Sequence, residues 1–244
     1  VKSKLKPVLD ALAMLFPVRC GGCGKNDTRL CRECLDALGC AVDPQGMWLP
    51  GAELDHERDA PLRDDERVAP LRVITAMPYE PVLQHVLDAF KERGRADLAK
   101  ELAELLRFSL RRVGELLPQR DGDRTEPILL VPVPSRRAAR ARRGYDHIQL
   151  LLERAVPNAR PVDALRHARA VADQSTLGRD ARASNLHGAL VAHDLVRGHR
   201  CVIVDDLVTT GATLAEAARA LEAAHANVLG AVAIARVELK YHTH

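Results

Sequence analysis

Aromatic residues are scarce in this chain: one Trp, three Tyr and three Phe make up 3% of it. A core built from such a sequence must rest on Val, Leu, Ile and Ala, and it offers few of the stacking platforms typical of single-strand nucleic-acid binders. No uninterrupted apolar run reaches the roughly 18 residues that a membrane-spanning helix needs, so stable membrane insertion is not expected. Charge of one sign is missing as well. Lys+Arg at 36 against Asp+Glu at 33 leave a net charge of +3, which excludes a polycationic, histone-like protein. The cysteines do not form a disulfide framework, because four crowd between positions 20 and 34 while Cys40 and Cys201 stand apart. What is present, 47% apolar and 28% charged types in 244 residues, suits a globular protein with one domain and a small attachment, or two modest domains.

Along the chain, Lys2, Lys4 and Lys6 precede an apolar stretch that Asp10 interrupts, and no small-residue cleavage site comes before the cysteines. The pattern predicts a short amphipathic helix with Leu5, Leu9, Leu12 and Phe16 on one face rather than a secretory signal, and hence a cytoplasmic protein. Residues 1–40 form a basic, cysteine-bearing head. Residues 41–70 are rich in Pro, Gly and mixed charge and read as a polar linker or solvated excursion. The main domain then runs over 71–244. Its pattern predicts strands over 71–77, 128–133, 201–205 and 228–235, with helices over 82–92, 97–117, 146–155 and 214–225. Apolar strands alternating with helices define an α/β fold with a parallel sheet covered on both faces.

Cys20-x2-Cys23 and Cys31-x2-Cys34 are two knuckles, each turning a pair of thiolates toward one point. Together they complete a tetrahedral four-sulfur shell suited to Zn²⁺. Such a shell leaves no open coordination position, so the expected zinc is structural. Gly21, Gly22 and Gly24 permit the tight backbone, and Arg19, Lys25, Arg29 and Arg32 supply nearby positive charge. Cys40 and Cys201 read as small buried hydrophobes.

The segment from Val202 to Leu214 carries most of the chemistry. Val202, Ile203 and Val204 end at Asp205 and Asp206, where a parallel strand delivers its C-terminal end to a ligand crevice. The turn Thr209-Thr210-Gly211-Ala212-Thr213 follows, and then an amphipathic helix. Turn amides, Thr hydroxyls and a helix N-terminus make an anion cradle of phosphate size. Two carboxylates beside that cradle suit the vicinal hydroxyls of a ribose, or a hydrated Mg²⁺. A strand with an Asp-initiated helix cap would explain one acid and one Thr, not both acids and the whole turn. The pattern is neither a Walker A loop nor GxGxxG.

This segment resembles the 5-phosphoribosyl-1-pyrophosphate (PRPP) motif of type I phosphoribosyltransferases. The resemblance implies that Asp205 and Asp206 contact the ribose hydroxyls, that residues 209–213 hold the 5-phosphate, and that Mg²⁺ accompanies PRPP. Further pieces look like the ComF family, phosphoribosyltransferase-like proteins associated with competence for DNA uptake. These are Leu15-Phe16-Pro17 and the four-cysteine head, Lys91-Glu92-Arg93-Gly94-Arg95, Val131-Pro132-Val133-Pro134, and Arg142-Arg143-Gly144-Tyr145. Arg166, Arg169, Gln174, Leu177, Arg182 and Asn185 also match that family's spacing. The chain departs from it at Tyr145-Asp146-His147, where Phe-Asn-Gln is common, and at Val171, where Thr is common. The resemblance implies a type I phosphoribosyltransferase-like sheet with a small hood. It also implies a pyrophosphate loop after Val133 in which Ser135 and Arg136, aided by Arg137, touch the diphosphate.

Arg136, Arg137, Arg140, Arg142 and Arg143 form a local basic patch that serves either the leaving group or a DNA backbone. His147, His167 and His187 are isolated in sequence and read as surface or satisfied polar residues, and no Ser-His-Asp arrangement stands out. Two readings follow from different classes. One is an enzyme, or a former enzyme, that binds PRPP or a phosphorylated ribose with Mg²⁺. The other is a single-stranded DNA-binding competence factor whose zinc head docks to a protein of the uptake machinery; a scaffold with no transfer activity is its silent variant. The motif identifies the donor far better than an acceptor, and it names no general base.

Overall fold

The computed structural model describes residues 18–49, 70–116, 127–135, 137–159, 161–168 and 187–238. The N-terminal amphipathic helix, most of the linker, and Arg136, Arg169, Val171, Gln174, Leu177, Arg182 and Asn185 lie outside the described residues. The elements in chain order are α1 (Arg32–Cys40), β1 (Gln45–Leu49), β2 (Leu71–Pro78), α2 (Pro81–Glu92), α3 (Ala99–Leu116), β3 (Leu129–Pro132), α4 (Arg137–Arg143), α5 (His147–Ala155), β4 (Leu165–His167), β5 (Leu190–Ala192), β6 (Arg200–Val204), β7 (Leu207–Val208), α6 (Ala212–Ala223) and β8 (Asn227–Arg236).

The main sheet has the order β1-β2-β8-β6-β3, with β7 joining β8 beyond the end of β6. The β2–β8, β8–β6, β6–β3 and β7–β8 pairs are parallel, as the alternating pattern requires. Strand β1 alone runs antiparallel, with Gln45 opposite Thr75 and Leu49 opposite Leu71. This strand falls inside the stretch read as a polar linker, which therefore contributes the outer edge of the sheet. Its five residues alternate, Leu49 buried and Trp48 exposed, but the surrounding Pro, Gly and charge hide so short a pattern.

Side-chain alternation along the strands sends Val202 and Val204 to one face and Cys201 and Ile203 to the other. On the first face α2, α3 and α5 bury Leu83, Phe90, Leu102, Leu106, Ile148 and Leu151. On the second, α6 and the separate β4–β5 hairpin bury Leu214, Leu221, Leu165 and Leu190. Glu216 fixes the hairpin to α6: its Oε1 accepts the Leu190 N–H at 2.9 Å, and Arg219, paired with Glu216, donates to the Leu190 carbonyl at 2.9 Å.

The four-cysteine head is not a separate lobe. Cys20, Leu30, Cys31, Cys34 and Leu38 share one hydrophobic cluster with α2 and α3. Arg95 donates to the Arg19 carbonyl at 2.7 Å, and Arg29 pairs with Glu101 at 2.7 Å, so two charged clamps hold the knuckle against the domain.

Candidate functional site

Parallel strands bring their C-terminal ends to one edge of the sheet, and the chemistry collects there. Strand β6 ends at Val204, after which Asp205 donates its N–H to the Val232 carbonyl at 3.0 Å. The chain then bulges. Asp206 turns its carbonyl to the N–H groups of Ile234 and Ala235, and β7 resumes pairing. This bulge gives the two acids different environments.

Asp206 is buried and points into the protein. Its oxygens lie 2.8 and 2.7 Å from Lys91 Nζ, in the last turn of α2, and its Oδ2 lies 2.8 Å from Nε2 of His147, the first residue of α5. Burial pushes the Asp206 carboxyl up, but Lys91 and His147 more than reverse this and hold it well below the usual carboxylate range. Asp205 is half-buried, and its Oδ1 accepts the Asp206 N–H at 2.9 Å. Burial and the neighbouring Asp206 charge push its carboxyl up to about 7. The two acids thus differ: Asp206 is anchored internally by Lys91, and Asp205 is half-buried at the strand end.

A raised carboxyl pKa means that folding favours the neutral acid. Stability contributed below the unfolded value of about 4 is lost as pH climbs through the folded one. Asp205→Asn, which is neutral throughout, is therefore expected to stabilise the ligand-free protein by up to about 4 kcal/mol at pH 8 and by less than about 1 kcal/mol near pH 4. Urea denaturation at the two pH values checks this.

The turn after β7 exposes Thr209, Thr210 and Thr213, while Gly211 is buried against Leu49 of β1. Gly211 takes φ +81 as the N-cap of α6, a conformation that side chains disfavour. Gly211 has no side chain to cap this helix; the Thr210 hydroxyl accepts the Ala212 N–H at a long 3.4 Å, and the helix N-terminus presents its amides at the surface beside the threonines.

Across the edge, the loop after β3 is held on three sides. Val133 donates to the Val204 carbonyl at 2.9 Å, His167 Nε2 lies 3.2 Å from the Pro134 carbonyl, and Ser135 Oγ lies 3.0 Å from His147 Nδ1. Ser135 thereby meets His147 and, through it, Asp206, an arrangement absent from the linear sequence. Tyr145 donates its hydroxyl to the Phe90 carbonyl and stacks obliquely on Phe90 with ring centroids 5.5 Å apart. This contact fixes the start of α5 beside the end of α2, and so His147 beside Lys91. Asp146 caps α5 by accepting from the N–H groups of Ile148 and Gln149. Sequence reasoning gave no role to Lys91 or His147; Lys91 was visible only as part of a motif.

The basic patch is partly committed. Arg142 pairs with Glu92, Arg143 donates to the Ala139 carbonyl at 3.1 Å, and Arg140 is exposed. Gly144 closes α4 with φ +77, and Arg166 is exposed on β4.

In the head, one ligand atom from each of Cys20, Cys23, Cys31 and Cys34 lies within 4.8 Å of the others, and the Cys23 and Cys31 sulfurs are 3.6 Å apart. Metal–sulfur bonds of about 2.3 Å in a tetrahedron place sulfurs about 3.8 Å apart, so the cluster fits a structural metal site. A Cβ at Gly22 would fall 2.7 Å from the Cys34 sulfur, which explains a glycine there. The nearby cations do not all serve the sulfurs, since Lys25 pairs with Glu33 and Arg32 with Asp36.

The fold is that of a phosphoribosyl transferase domain. The profile of that family matches residues 103–242, and the chain belongs to it. The chain is also similar to the DNA utilization protein YhgH of Escherichia coli (strain K12), of Shigella flexneri and of Salmonella typhimurium (strain LT2), at 34% identity over 157 residues in each case. The match covers 62% of this chain and 65% of each relative, just under two thirds of their length. Among the described residues no helix is long and apolar enough to cross a membrane.

Proposed function

We propose that this chain is a ComF-like protein that binds PRPP, or another ribose 5-phosphate, with Mg²⁺, holds a structural Zn²⁺ in its cysteine cluster, and serves DNA uptake in the cytoplasm. The observation that carries the reading is the N-terminus of α6, ringed by the exposed Thr209, Thr210 and Thr213 and following Asp205 in the same strand–turn–helix segment. That cradle suits the 5-phosphate, Asp205 suits the ribose hydroxyls, and the loop carrying Ser135 and Arg136 suits the diphosphate. Mg²⁺ would neutralise the diphosphate and ease its departure from the anomeric carbon. The YhgH relatives, named for DNA utilization, support the biological process.

Titration calorimetry with PRPP and Mg²⁺ tests the reading. Binding is expected, with Asp205→Asn weakening it about tenfold or more, a loss of about 1.4 kcal/mol or above. Absence of PRPP binding, with tight and salt-sensitive binding of single-stranded DNA that weakens on changing Arg142 and Arg143, would replace it with the DNA-binding reading.

A further inference from the structure

We propose that His147 is a positioning residue that sets the spacing between the ribose seat and the diphosphate loop. The proposal rests on the ribose-phosphate reading above and adds a residue to it. The ring is buried and bridges two strand ends: Nε2 lies 2.8 Å from Asp206 Oδ2, just after β6, and Nδ1 lies 3.0 Å from Ser135 Oγ, just after β3. These strands are neighbours in the sheet, so one imidazole spans the gap between the two loops that a diphosphate-bearing sugar must touch together.

The direction of each polar contact follows from Asp206. Lys91 contacts both of its oxygens, which keeps it anionic and able only to accept. His147 must therefore donate from Nε2–H. In the neutral ring this leaves Nδ1 with a lone pair, which accepts the Ser135 hydroxyl. A chain of donors runs from Ser135 through His147 to Asp206, and the Lys91 ammonium anchors its far end. The loop is fixed from its other side by the Pro134 carbonyl on His167 and by Val133 on β6. With both loops tied to one rigid ring, their separation is set before a ligand arrives, which favours a ligand spanning both seats over one that fills either alone.

Glutamine can stand in for this imidazole. An amide also donates from one end and accepts at the other, so Gln can make the same bridge. Alanine cannot.

The test is titration calorimetry on the 244-residue chain with PRPP, ribose 5-phosphate and inorganic diphosphate as separate probes, each with Mg²⁺. His147→Ala is expected to weaken PRPP about 10-fold or more while changing the two partial ligands less than about 3-fold, and His147→Gln is expected to restore PRPP binding. Equal losses for all three ligands, or no loss for PRPP, would overturn the proposal. Should His147→Ala fail to fold, His147→Phe, which keeps a ring in place but makes neither polar contact, is expected to give the same unequal pattern. A wild-type chain that binds none of the three probes would defeat the ribose-phosphate reading instead. Nitrogen-15 NMR then still tests the bridge: His147 should be protonated at Nε2, and Ser135→Ala should shift its Nδ1 resonance. A ring protonated at Nδ1 alone, or one indifferent to Ser135, defeats it.

Discussion

Replacing Lys91 with methionine is expected to lower folding stability by about 3–5 kcal/mol, because it strands a buried carboxylate. Lys91 and Asp206 are 115 residues apart in sequence, and their contact ties α2 to the bulge after β6. The Asp206 side chain is only 4% exposed and the Lys91 side chain 24%, so water cannot substitute for the lost ammonium. Methionine keeps the bulk of the lysine stem, which confines the effect to charge. Adding Asp206→Asn should recover a large part of the loss, since the orphaned charge goes with its partner. Chemical denaturation of both single variants and the double variant measures the coupling. The pH dependence follows from Asp206. A carboxyl held below its unfolded value contributes stability that is present above about pH 4 and lost as pH falls. The Lys91→Met protein should therefore lose less stability on acidification than the parent.

Removing the metal is expected to be as damaging. A strong chelator, or Cys34→Ser, should lower the melting temperature by about 10 °C or more, as a loss of several kcal/mol does in a chain of this size. The reason lies in the packing. Cys20, Cys31 and Cys34 are buried in the same cluster as Leu83, Val86 and Leu98, so opening the knuckle unroofs α2 and α3. Cys40, expected from the sequence to be buried, is instead exposed at the end of α1 and outside the sulfur cluster, and Cys40→Ser should stay within about 0.5 kcal/mol of the parent. Plasma emission spectrometry of the purified protein is expected to find one zinc per chain. A metal-free protein with an unchanged melting curve would overturn the structural role.

The parallel core was legible because period and length agree. The runs around 71–77, 128–133, 201–205 and 228–235 each became a strand within a residue or two of the expected ends. The cysteine knuckles were legible because their chemistry is local. Strand β1 was not, since five alternating residues between prolines resemble a loop until a partner strand supplies their hydrogen bonds. The heart of the candidate site was hidden for another reason. Asp205, Asp206 and the Thr turn lie on one short stretch, but Lys91, Ser135 and His147 reach them only through the sheet order. The departure at 145–147 shows what linear reading misses. Tyr145 adds a hydroxyl that reaches Phe90, Asp146 caps its own helix, and His147 joins two loops. Each of the three residues makes a contact of its own.

Trp48, the one tryptophan, sits 63% exposed on the outer strand with the Arg72 guanidinium 5.6 Å from its ring centre. Intrinsic indole fluorescence is thus a poor witness of the core, because the fluorophore is already wet in the native state and will redden little when the chain unravels. It is instead a sensitive witness of whatever lies down along that rim, where a blue shift or quenching would announce contact without any label.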